Sequence, residues 1–342
     1  MLNFTPSSCK IVYMKIIILD GYGLNPGDLS WGGFEALGSV TCYDRTAPEQ
    51  RAERIGDAEI VLVNKVPLDE SVFAKCPNLK YIGVLATGYN IIDLQAAKNH
   101  NICVTNIPAY STMAVAQAVF ALLLEVTNGV SAHSKSVHAG DWVKSPDFCY
   151  WKHPLTELYG KTLGIVGFGS IGSQTAKIAV AMGMNVIAFT RSTEKIDAFN
   201  AKYACLFEEG QQVKAVSFEE LLKTSDIVSL HCPLTEKSKG IINAESLKLV
   251  KDGAILINTS RGPLIEEQAV ADALKAKKLR AYACDVLSAE PMQAANPLLG
   301  APNCIITPHV AWAGLETRQR LMGIAVGNLK AFVSGKAINQ VN

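Results

Sequence analysis

The stretch that decides the fold of this chain is Leu163-Gly-Ile-Val-Gly167-Phe-Gly169-Ser-Ile-Gly172. A short apolar run with the composition of a strand precedes three glycines spaced GxGxxG. Helical periodicity follows over residues 171–182. In such a motif the first glycine allows a tight turn, the second lets the backbone approach a pyrophosphate, and the third lets the helix pack on the strand. The amides of the helix N-terminus then bind the phosphate oxygens.

The alternative is that these glycines serve only chain packing, because GxGxxG alone is a weak signal. Here the strand, the loop, the helix and a second strand at 185–190 fall where a dinucleotide-binding βαβ unit requires them. The earlier stretch Gly21-Tyr-Gly-Leu-Asn-Pro-Gly27 lacks this spacing, and its proline would disrupt a helix start. We therefore predict one dinucleotide-binding phosphate loop, formed by Gly167, Gly169, Ser170, Ile171 and Gly172.

Short β-rich runs alternate with helical segments along most of the chain, which is typical of parallel sheets covered by helices. A first series has predicted strands at 15–20, 39–43, 59–64, 79–86 and 102–107, with helical segments at 49–58, 69–76 and 93–100. A second series has predicted strands at 162–167, 185–190, 226–231, 254–259, 281–286 and 304–307, with helices at 171–182, 217–224, 244–250 and 266–278. Asp69 and Asp93 stand where their side chains would cap two helices of the first series.

These two series predict an α/β protein with two Rossmann-like domains and a cleft between them. One is a flavodoxin-like substrate-binding domain, and the other is a doubly wound dinucleotide-binding domain. An amphipathic helix is predicted at 111–126, an irregular surface segment at 127–160, and a last helix at 315–334 that has no place in either series. We therefore assign 14–110 and 309–342 to the substrate-binding domain, 111–308 to the dinucleotide-binding domain, and 1–13 to an N-terminal appendage.

Composition excludes several classes of ligand. The chain has 32 Lys+Arg against 31 Asp+Glu and a formal charge of +1, whereas nucleic acids and anionic membranes call for clustered basic residues. No uninterrupted apolar run approaches the ~18 residues of a membrane span. Nine scattered cysteines, never spaced as CxxC, indicate buried thiols in a reducing compartment. We expect a cytoplasmic protein that binds small molecules, with no nucleic acid, membrane or metal site.

The second strand of the dinucleotide-binding series ends in Thr190-Arg191-Ser192. An NAD enzyme usually offers an Asp or Glu here to the ribose hydroxyls, and such a carboxylate would repel a 2′-phosphate. Arg191 can instead form charge-assisted hydrogen bonds with a 2′-phosphate, for which the small hydroxyl residues leave room. The alternative is that Arg191 is a solvated loop residue. The sequence favours NADP(H) over NAD(H), with use of both as an open alternative.

Three more strand ends of the second series carry polar residues where ligands bind in such sheets. They are Asn258-Thr-Ser-Arg261-Gly-Pro, Asp285-Val-Leu-Ser-Ala-Glu290-Pro and Thr307-Pro-His-Val-Ala-Trp312. Together an Arg, a Glu and a His could orient a carboxylate substrate, tune a histidine and deliver a proton. The alternatives are a turn-capping Arg261, a loop carboxylate at Glu290 and a structural histidine.

At these residues the chain resembles the D-isomer-specific 2-hydroxyacid dehydrogenase family, which has an Arg, a Glu and a His in this context and chain order. The resemblance spans residues 14–342 and includes Gly88-Tyr-Asn-Ile-Ile-Asp93 and His231-Cys-Pro-Leu-Thr235. Three further segments are similar to the glycerate dehydrogenase (hydroxypyruvate reductase) branch: Asn25-Pro-Gly-Asp-Leu-Ser-Trp31, Phe148-Cys-Tyr-Trp151 and Pro308-His-Val-Ala-Trp312.

The resemblance implies an NAD(P)-dependent enzyme that interconverts a small 2-keto acid and its D-2-hydroxy acid. Hydroxypyruvate/D-glycerate and glyoxylate/glycolate are the first candidates. It implies that Arg261 holds the carboxylate and carbonyl of the substrate, that His309 exchanges a proton with the substrate oxygen, and that Glu290 pairs with His309. The corresponding hydride moves between the nicotinamide and C2 of the substrate.

The resemblance also assigns residues to binding. Backbone amides around Ala86, Thr87 and Gly88 would hold the substrate carboxylate. Cys232, Pro233, Thr259 and Asp285 would lie along the cofactor, with a structural role as the alternative for Asp285. Glu266 and Glu267 are interpreted only as carboxylates that favour a helix N-terminus. The helix at 111–127 would form a homodimer.

A second hypothesis from another class is a dinucleotide-sensing corepressor, because the same family includes nucleotide-binding corepressors. Retained Arg261, Glu290 and His309 do not exclude it, but the chain lacks a disordered interaction tail. Turnover of keto acids would separate the two hypotheses.

Overall fold

The computed structural model describes residues 14–208 and 210–342, so the predicted appendage at 1–13 lies outside the described residues. The described chain divides into two compact units. The continuous unit is Ser111–Trp312, and the discontinuous unit combines the chain up to Tyr110 with Ala313–Asn342.

The second boundary differs from the expected one. The sequence predicts that the chain returns to the substrate-binding domain after Pro308, whereas Trp312 is the last residue of the continuous unit. The reason is that the Asp285 carboxylate accepts hydrogen bonds from the backbone N–H groups of Val310 and Ala311, at 2.8 Å each. His309 therefore belongs to the continuous unit.

The discontinuous unit is built on a five-stranded parallel sheet in the order β2-β1-β3-β4-β5, which is the flavodoxin-like order. Its strands are β1 Met14–Ile18, β2 Gly38–Cys42, β3 Ile60–Val63, β4 Tyr81–Val84 and β5 Cys103–Thr105. Its helices before residue 110 are short: α1 Gly32–Glu35, α2 Arg51–Ile55, α3 Glu70–Phe73 and α4 Leu94–Asn99. The predicted caps are confirmed, since the Asp69 side chain accepts from Ser71 N–H and the Asp93 side chain accepts from Ala96 N–H.

The continuous unit contains a seven-stranded parallel sheet in the order β12-β11-β10-β9-β6-β7-β8. Its strands are β6 Thr162–Val166, β7 Asn185–Phe189, β8 Lys214–Ala215, β9 Ile227–Leu230, β10 Ala254–Asn258, β11 Leu279–Cys284 and β12 Cys304–Ile306. Its helices are α5 Thr112–Asn128, α6 Val130–His138, α7 Ser170–Ala181, α8 Glu194–Lys202, α9 Phe218–Thr224, α10 Ala244–Leu249 and α11 Glu267–Lys275.

The strand order of this sheet reverses at β6, which pairs with β7 on one side and β9 on the other. Two apolar cores cover the two faces of the sheet, and β9 and β10 are buried along their whole length. Strands buried on both faces explain the continuous apolar runs in the sequence. Ligands of doubly wound sheets bind at such a reversal, outside the carboxyl ends of the strands. The predicted α/β class with two parallel-sheet, Rossmann-like domains is confirmed.

The last helix, α12 Leu315–Val333, lies in the discontinuous unit. Its Asn328 side chain donates to the Asn106 carbonyl at 2.9 Å, and the Phe332 ring lies 4.8 Å from the Tyr81 ring. The helix therefore packs against β4 and the end of β5.

Four elements differ from the sequence predictions. Residues 127–160 are not irregular throughout, because α6 continues from α5 after a bend of 54° at the left-handed Gly129. The four-residue helix α1, the helix α8 and the exposed two-residue strand β8 are absent from the sequence predictions. No single helix among the described residues is long and apolar enough to cross a membrane, and only the bent pair α5 and α6 together has the required length and composition.

Candidate active site

The phosphate loop begins where β6 ends. Gly167 has φ +100°, and a Cβ there would lie 2.6 Å from the Cys232 nitrogen, so only glycine fits the turn. Gly169 precedes α7, and a Cβ at Gly169 would meet no atom of the described residues within 4 Å. The amides of Ser170, Ile171 and Gly172 are the first of a twelve-residue helix and have no intrahelical acceptors. The loop therefore offers open space and N–H donors to an anion.

The end of the next strand, β7, carries Thr190, Arg191 and Ser192. The Thr190 hydroxyl accepts a hydrogen bond from Ser192 N–H at 3.2 Å, which forms a tight turn. Arg191 is exposed and forms no ion pair with any residue in the described part of the chain. A cationic side chain thus stands where an NAD enzyme usually has a carboxylate.

Three more predicted cofactor residues, Cys232, Pro233 and Thr259, follow the strands β9 and β10. The Ser260 hydroxyl donates to the Cys232 carbonyl at 2.8 Å, which joins the ends of β9 and β10, and Pro233 follows directly. The Thr259 hydroxyl is buried and has no hydrogen-bond partner among the described residues. A buried polar atom without a partner is costly, so Thr259 fits contact with a bound group. Together with the open Gly169, this makes the edge of the sheet compatible with a dinucleotide.

His231 lies at the same edge, directly after β9. Its Nε2 lies 2.9 Å from the Ser229 hydroxyl, and burial lowers the pKa of the imidazole to about 4. The ring is therefore neutral at pH 7. A neutral imidazole with a serine partner indicates that His231 has a structural role at this edge of the sheet.

The most reactive pair in the continuous unit is His309 and Glu290. His309 Nδ1 lies 2.7 Å from Glu290 Oε2, and about a third of each side chain is exposed. The other oxygen, Glu290 Oε1, accepts from Leu287 N–H at 3.0 Å. Since a carboxylate only accepts, Nδ1 carries the proton and Nε2 faces away from Glu290. The imidazole is thus fixed in one tautomer, with Nε2 left for a substrate.

Asp285 supports the segment that carries His309. Its buried carboxylate accepts from the Thr307 hydroxyl at 2.6 Å and from the backbone N–H groups of Val310 and Ala311 at 2.8 Å. His309 itself has φ +55°, an uncommon conformation for a residue with a side chain. Asp285 therefore stabilises a strained turn that directs the imidazole. The sequence did not reveal this task, and a cofactor contact of Asp285 stays a prediction.

Arg261 follows β10, the strand next to β11. Its Nη1 donates to the Ser260 carbonyl at 2.7 Å, and its own carbonyl accepts from the Asn258 side chain at 2.9 Å. A Cβ on the next residue, Gly262, would overlap the backbone of Leu287, so the Arg261 and Glu290 segments are in contact. The guanidinium remains exposed with several N–H donors for a carboxylate. Arg261, Glu290 and His309 thus follow three adjacent strands at one edge.

The backbone amides that are predicted to bind the substrate carboxylate lie in the discontinuous unit, after β4. The Thr87 hydroxyl donates to the Ile107 carbonyl at 2.7 Å, and the Thr87 carbonyl accepts from the Asn106 side chain at 2.8 Å. Ile107 N–H donates to the Ala86 carbonyl at 3.0 Å. The N–H groups of Ala86, Thr87 and Gly88 donate to no residue in the described part of the chain. The stretch is therefore fixed through its oxygens, which leaves its donors for an anion.

No group of three or more His, Cys, Asp or Glu side chains within the described ranges is placed to hold a metal ion. The reactive groups of the continuous unit are a proton-exchanging pair and a cation. Such an arrangement can bind a carboxylate and move a proton to or from a neighbouring oxygen.

Comparisons with known proteins agree with this chemistry. Residues 120–311 match the family model of the D-isomer specific 2-hydroxyacid dehydrogenase, NAD binding domain. The chain is 51% identical over 332 residues to the hydroxypyruvate reductase of Blautia hydrogenotrophica, covering 96% of this chain and 100% of that protein. It is 41% identical over 330 residues to the glycerate dehydrogenase of Methylorubrum extorquens, covering 96% and 98%.

Among solved structures, an acyclic imino acid reductase in complex with NADPH and D-arginine matches with a TM-score of 0.80 and 30% identity, covering 96% of this chain and 100% of that one. Sequence and structure therefore agree over nearly the whole length. The chain is an oxidoreductase with an NAD-binding domain and belongs to the D-isomer specific 2-hydroxyacid dehydrogenase family.

Proposed function

We propose that this chain reduces hydroxypyruvate or glyoxylate to D-glycerate or glycolate, and catalyses the reverse oxidation. The observation that carries the proposal is the 2.7 Å contact of His309 Nδ1 with Glu290 beside an exposed Arg261. The relatives named hydroxypyruvate reductase and glycerate dehydrogenase support this choice of substrates. Both keto acids are small 2-oxo carboxylates, which suits one guanidinium and a set of backbone donors.

In the proposed reaction Arg261 binds the carboxylate and polarises the keto oxygen. The N–H groups of Ala86, Thr87 and Gly88 are proposed as further donors to a substrate carboxylate. The bound nicotinamide supplies the hydride that C2 of the substrate accepts. His309 Nε2 donates its proton to the oxygen, and Glu290 stabilises the imidazolium beforehand. Oxidation returns the proton from the hydroxyl to the neutral Nε2.

The cofactor is proposed to be held by the phosphate loop at Gly167, Gly169, Ser170, Ile171 and Gly172, by Thr190, Arg191 and Ser192, and by Cys232, Pro233, Thr259 and Asp285. We propose NADP(H) as the preferred form, with NAD(H) also accepted. Arg191 supports this preference because its exposed guanidinium can pair with a 2′-phosphate. The NADPH bound to the imino acid reductase agrees with it.

The test is steady-state oxidation of NADPH and of NADH with hydroxypyruvate, glyoxylate and pyruvate, followed by chiral analysis of the product. We expect turnover of hydroxypyruvate or glyoxylate, with D-glycerate as the product of hydroxypyruvate. Tight dinucleotide binding without turnover of any keto acid would instead support a dinucleotide sensor. The named relatives favour the enzyme.

We also propose a homodimer that uses α5 and the segment after it. Most of α5 is buried within its own unit, but exposed apolar side chains follow it. They are Val130, Val137, Trp142, Val143, Phe148, Trp151, Leu155 and Tyr159. Such a surface is more apolar than single scattered residues would make it and indicates a protein interface. Sedimentation should give twice the chain mass, and Phe148→Asp should shift it towards the monomer.

We propose a cytoplasmic location, because the eight cysteines in the described part of the chain are free thiols. The proposal fits a substrate and cofactor that are both small metabolites. Fractionation of the native host would test it, and recovery outside the cytoplasm would contradict it.

A further inference from the structure

Glu267, the first residue of α11, binds the loop that carries Glu290. Its Oε1 accepts from Ser288 N–H at 2.8 Å, and its Oε2 accepts from the Asn296 side chain at 2.9 Å. Asn296 is itself fixed, because its Oδ1 accepts from Leu298 N–H at 3.0 Å. Glu267 therefore holds two points of the loop that lie on either side of Glu290. A carboxylate that served only the helix N-terminus would not need partners 21 and 29 residues away.

The two carboxylates hold neighbouring backbone amides. Glu290 Oε1 accepts from Leu287 N–H at 3.0 Å, and Glu267 Oε1 accepts from the next amide, Ser288 N–H. Glu290 uses its other oxygen for His309 Nδ1. A shift of the Ser288 amide therefore also moves the Leu287 amide. Because Glu290 Oε1 accepts from that amide, Glu290 Oε2, which contacts His309 Nδ1, moves as well.

We propose that Glu267 is a positioning residue for the reaction, which acts by fixing the Leu287–Asn296 loop so that Glu290 holds the His309 imidazole. This inference rests on the proposed function of His309. Glu267 itself touches neither His309 nor Arg261. Acting through Glu290, Glu267 keeps the neutral His309 ring in the Nδ1–H tautomer, so that Nε2 is free for the substrate oxygen.

The chain offers a reciprocal pair of substitutions. In Glu267→Gln one oxygen remains for Ser288, but the new NH₂ group faces the NH₂ group of Asn296, so the second contact is lost. In the double variant Glu267→Gln/Asn296→Asp the glutamine NH₂ donates to the aspartate, which restores the contact with donor and acceptor exchanged. Glu266→Gln is the matched control, because it removes the neighbouring exposed carboxylate at the same helix start.

We expect Glu267→Gln to lower kcat by about tenfold, since small misplacements of catalytic groups cost one to two orders of magnitude. The KM for the keto acid should change by less than about threefold. The double variant should restore kcat, and Glu266→Gln should resemble wild type.

A second readout does not depend on turnover. The ¹⁵N spectrum of histidine-labelled protein reports the tautomer of each ring, and loss of signals in His309→Asn assigns those of His309. We expect the Nδ1–H tautomer in wild type, a mixture in Glu267→Gln, and the wild-type form in the double variant. Asn296→Ala removes the same contact from the other side and carries the test if Glu267→Gln does not fold.

The proposal is overturned if the His309 tautomer stays as in wild type in both Glu267→Gln and Asn296→Ala. It is also overturned if the double variant behaves like Glu267→Gln. If the tautomer responds as expected but wild type reduces no keto acid, the proposed function fails while the coupling of Glu267 to His309 stands.

Discussion

In both units the first strand of the parallel sheet is followed by glycines, but only one of these two turns leaves open space beside a glycine and leads into a long helix. After β1 the chain forms a three-residue 3-10 helix, Gly21–Gly23, and the next helix, α1, has four residues. After β6 the turn at Gly167 leads directly into the twelve-residue α7. A Cβ on Gly21 would collide with the Cys42 sulfur, whereas a Cβ on Gly169 would meet open space.

The difference shows that glycine has a different role in each of the two turns. Gly21 makes room for the protein's own side chains, and Gly169 keeps room for something outside the chain. The polar residue at the end of β1 follows the same rule, because Asp20 accepts from the backbone N–H groups of Asn64 and Lys65, at 2.8 and 2.6 Å. At the corresponding edge of the continuous unit stand Arg261 and His309, which we propose to bind the substrate.

The largest expected effect tests whether the chemistry resides in the continuous unit. His309→Asn, which tolerates a positive φ, should lower kcat by about 10³-fold, because it removes the proton donor. Fluorescence titration of the reduced dinucleotide should give a nearly unchanged Kd, which serves as the control. A kcat close to wild type would contradict the assignment of His309.

The two glycine turns can be compared directly by enlarging each. Gly169→Val should raise the dinucleotide Kd by about 100-fold, or about 2.7 kcal/mol, and leave thermal stability unchanged, because its side chain enters the ligand space. Gly21→Ala should lower stability by about 1–3 kcal/mol through overpacking and leave the Kd unchanged. Calorimetry and fluorescence titration measure both quantities in both variants. If each variant changed the same quantity, the contrast between the turns would be wrong.

The sequence predicted the features that depend on residues close together in the chain. The strands, the Gly167 turn and the caps at Asp69 and Asp93 follow from short patterns. Elements with weak patterns, such as α8, were missed. The pairing of Glu290 with His309 was available only through family resemblance, because it joins residues 19 positions apart.

The tasks of Asp285 and Glu267 could not be predicted, since their partners lie 21–29 positions away and are mostly backbone amides, which carry no sequence signal. A carboxylate near a helix start or a strand end looks the same in sequence whether it binds solvent or a distant loop. Only the folded chain distinguishes these two cases.

The two sheet edges should also respond differently to acid. Burial lowers the pKa of His231 to about 4, so between pH 6.5 and pH 4 the unfolded chain binds a proton that the folded chain does not. His231 therefore reduces the free energy of unfolding as pH falls, by up to about 2 kcal/mol from pH 7 to pH 5. Burial raises the pKa of Asp20, so the folded chain binds a proton there more readily than the unfolded chain. The effect of Asp20 on the free energy of unfolding is therefore opposite to that of His231, and it favours the folded state as pH falls.

Denaturant unfolding of wild type and His231→Gln at pH 7 and pH 5 measures this difference. The variant should lose less stability than wild type between the two pH values, because glutamine does not titrate. Ser229→Ala is the control for the lost hydrogen bond, since it keeps the imidazole. Equal losses in wild type and His231→Gln would show that the unfolded chain gains no proton at this residue.

The smallest expected effect concerns the specificity of the loop that Gly169 keeps open. Arg191→Ala should raise the Kd for NADPH by about tenfold, or about 1.4 kcal/mol, and leave that for NADH nearly unchanged, because only NADPH carries the 2′-phosphate. Lys195→Ala, which removes a positive charge four residues away, is the matched control for long-range attraction. Raising the salt concentration should reduce the effect of Arg191, since an exposed ion pair is screened. Equal weakening of NADPH and NADH would mean that Arg191 contacts a part common to both cofactors, and the preference for NADP(H) would lose its support.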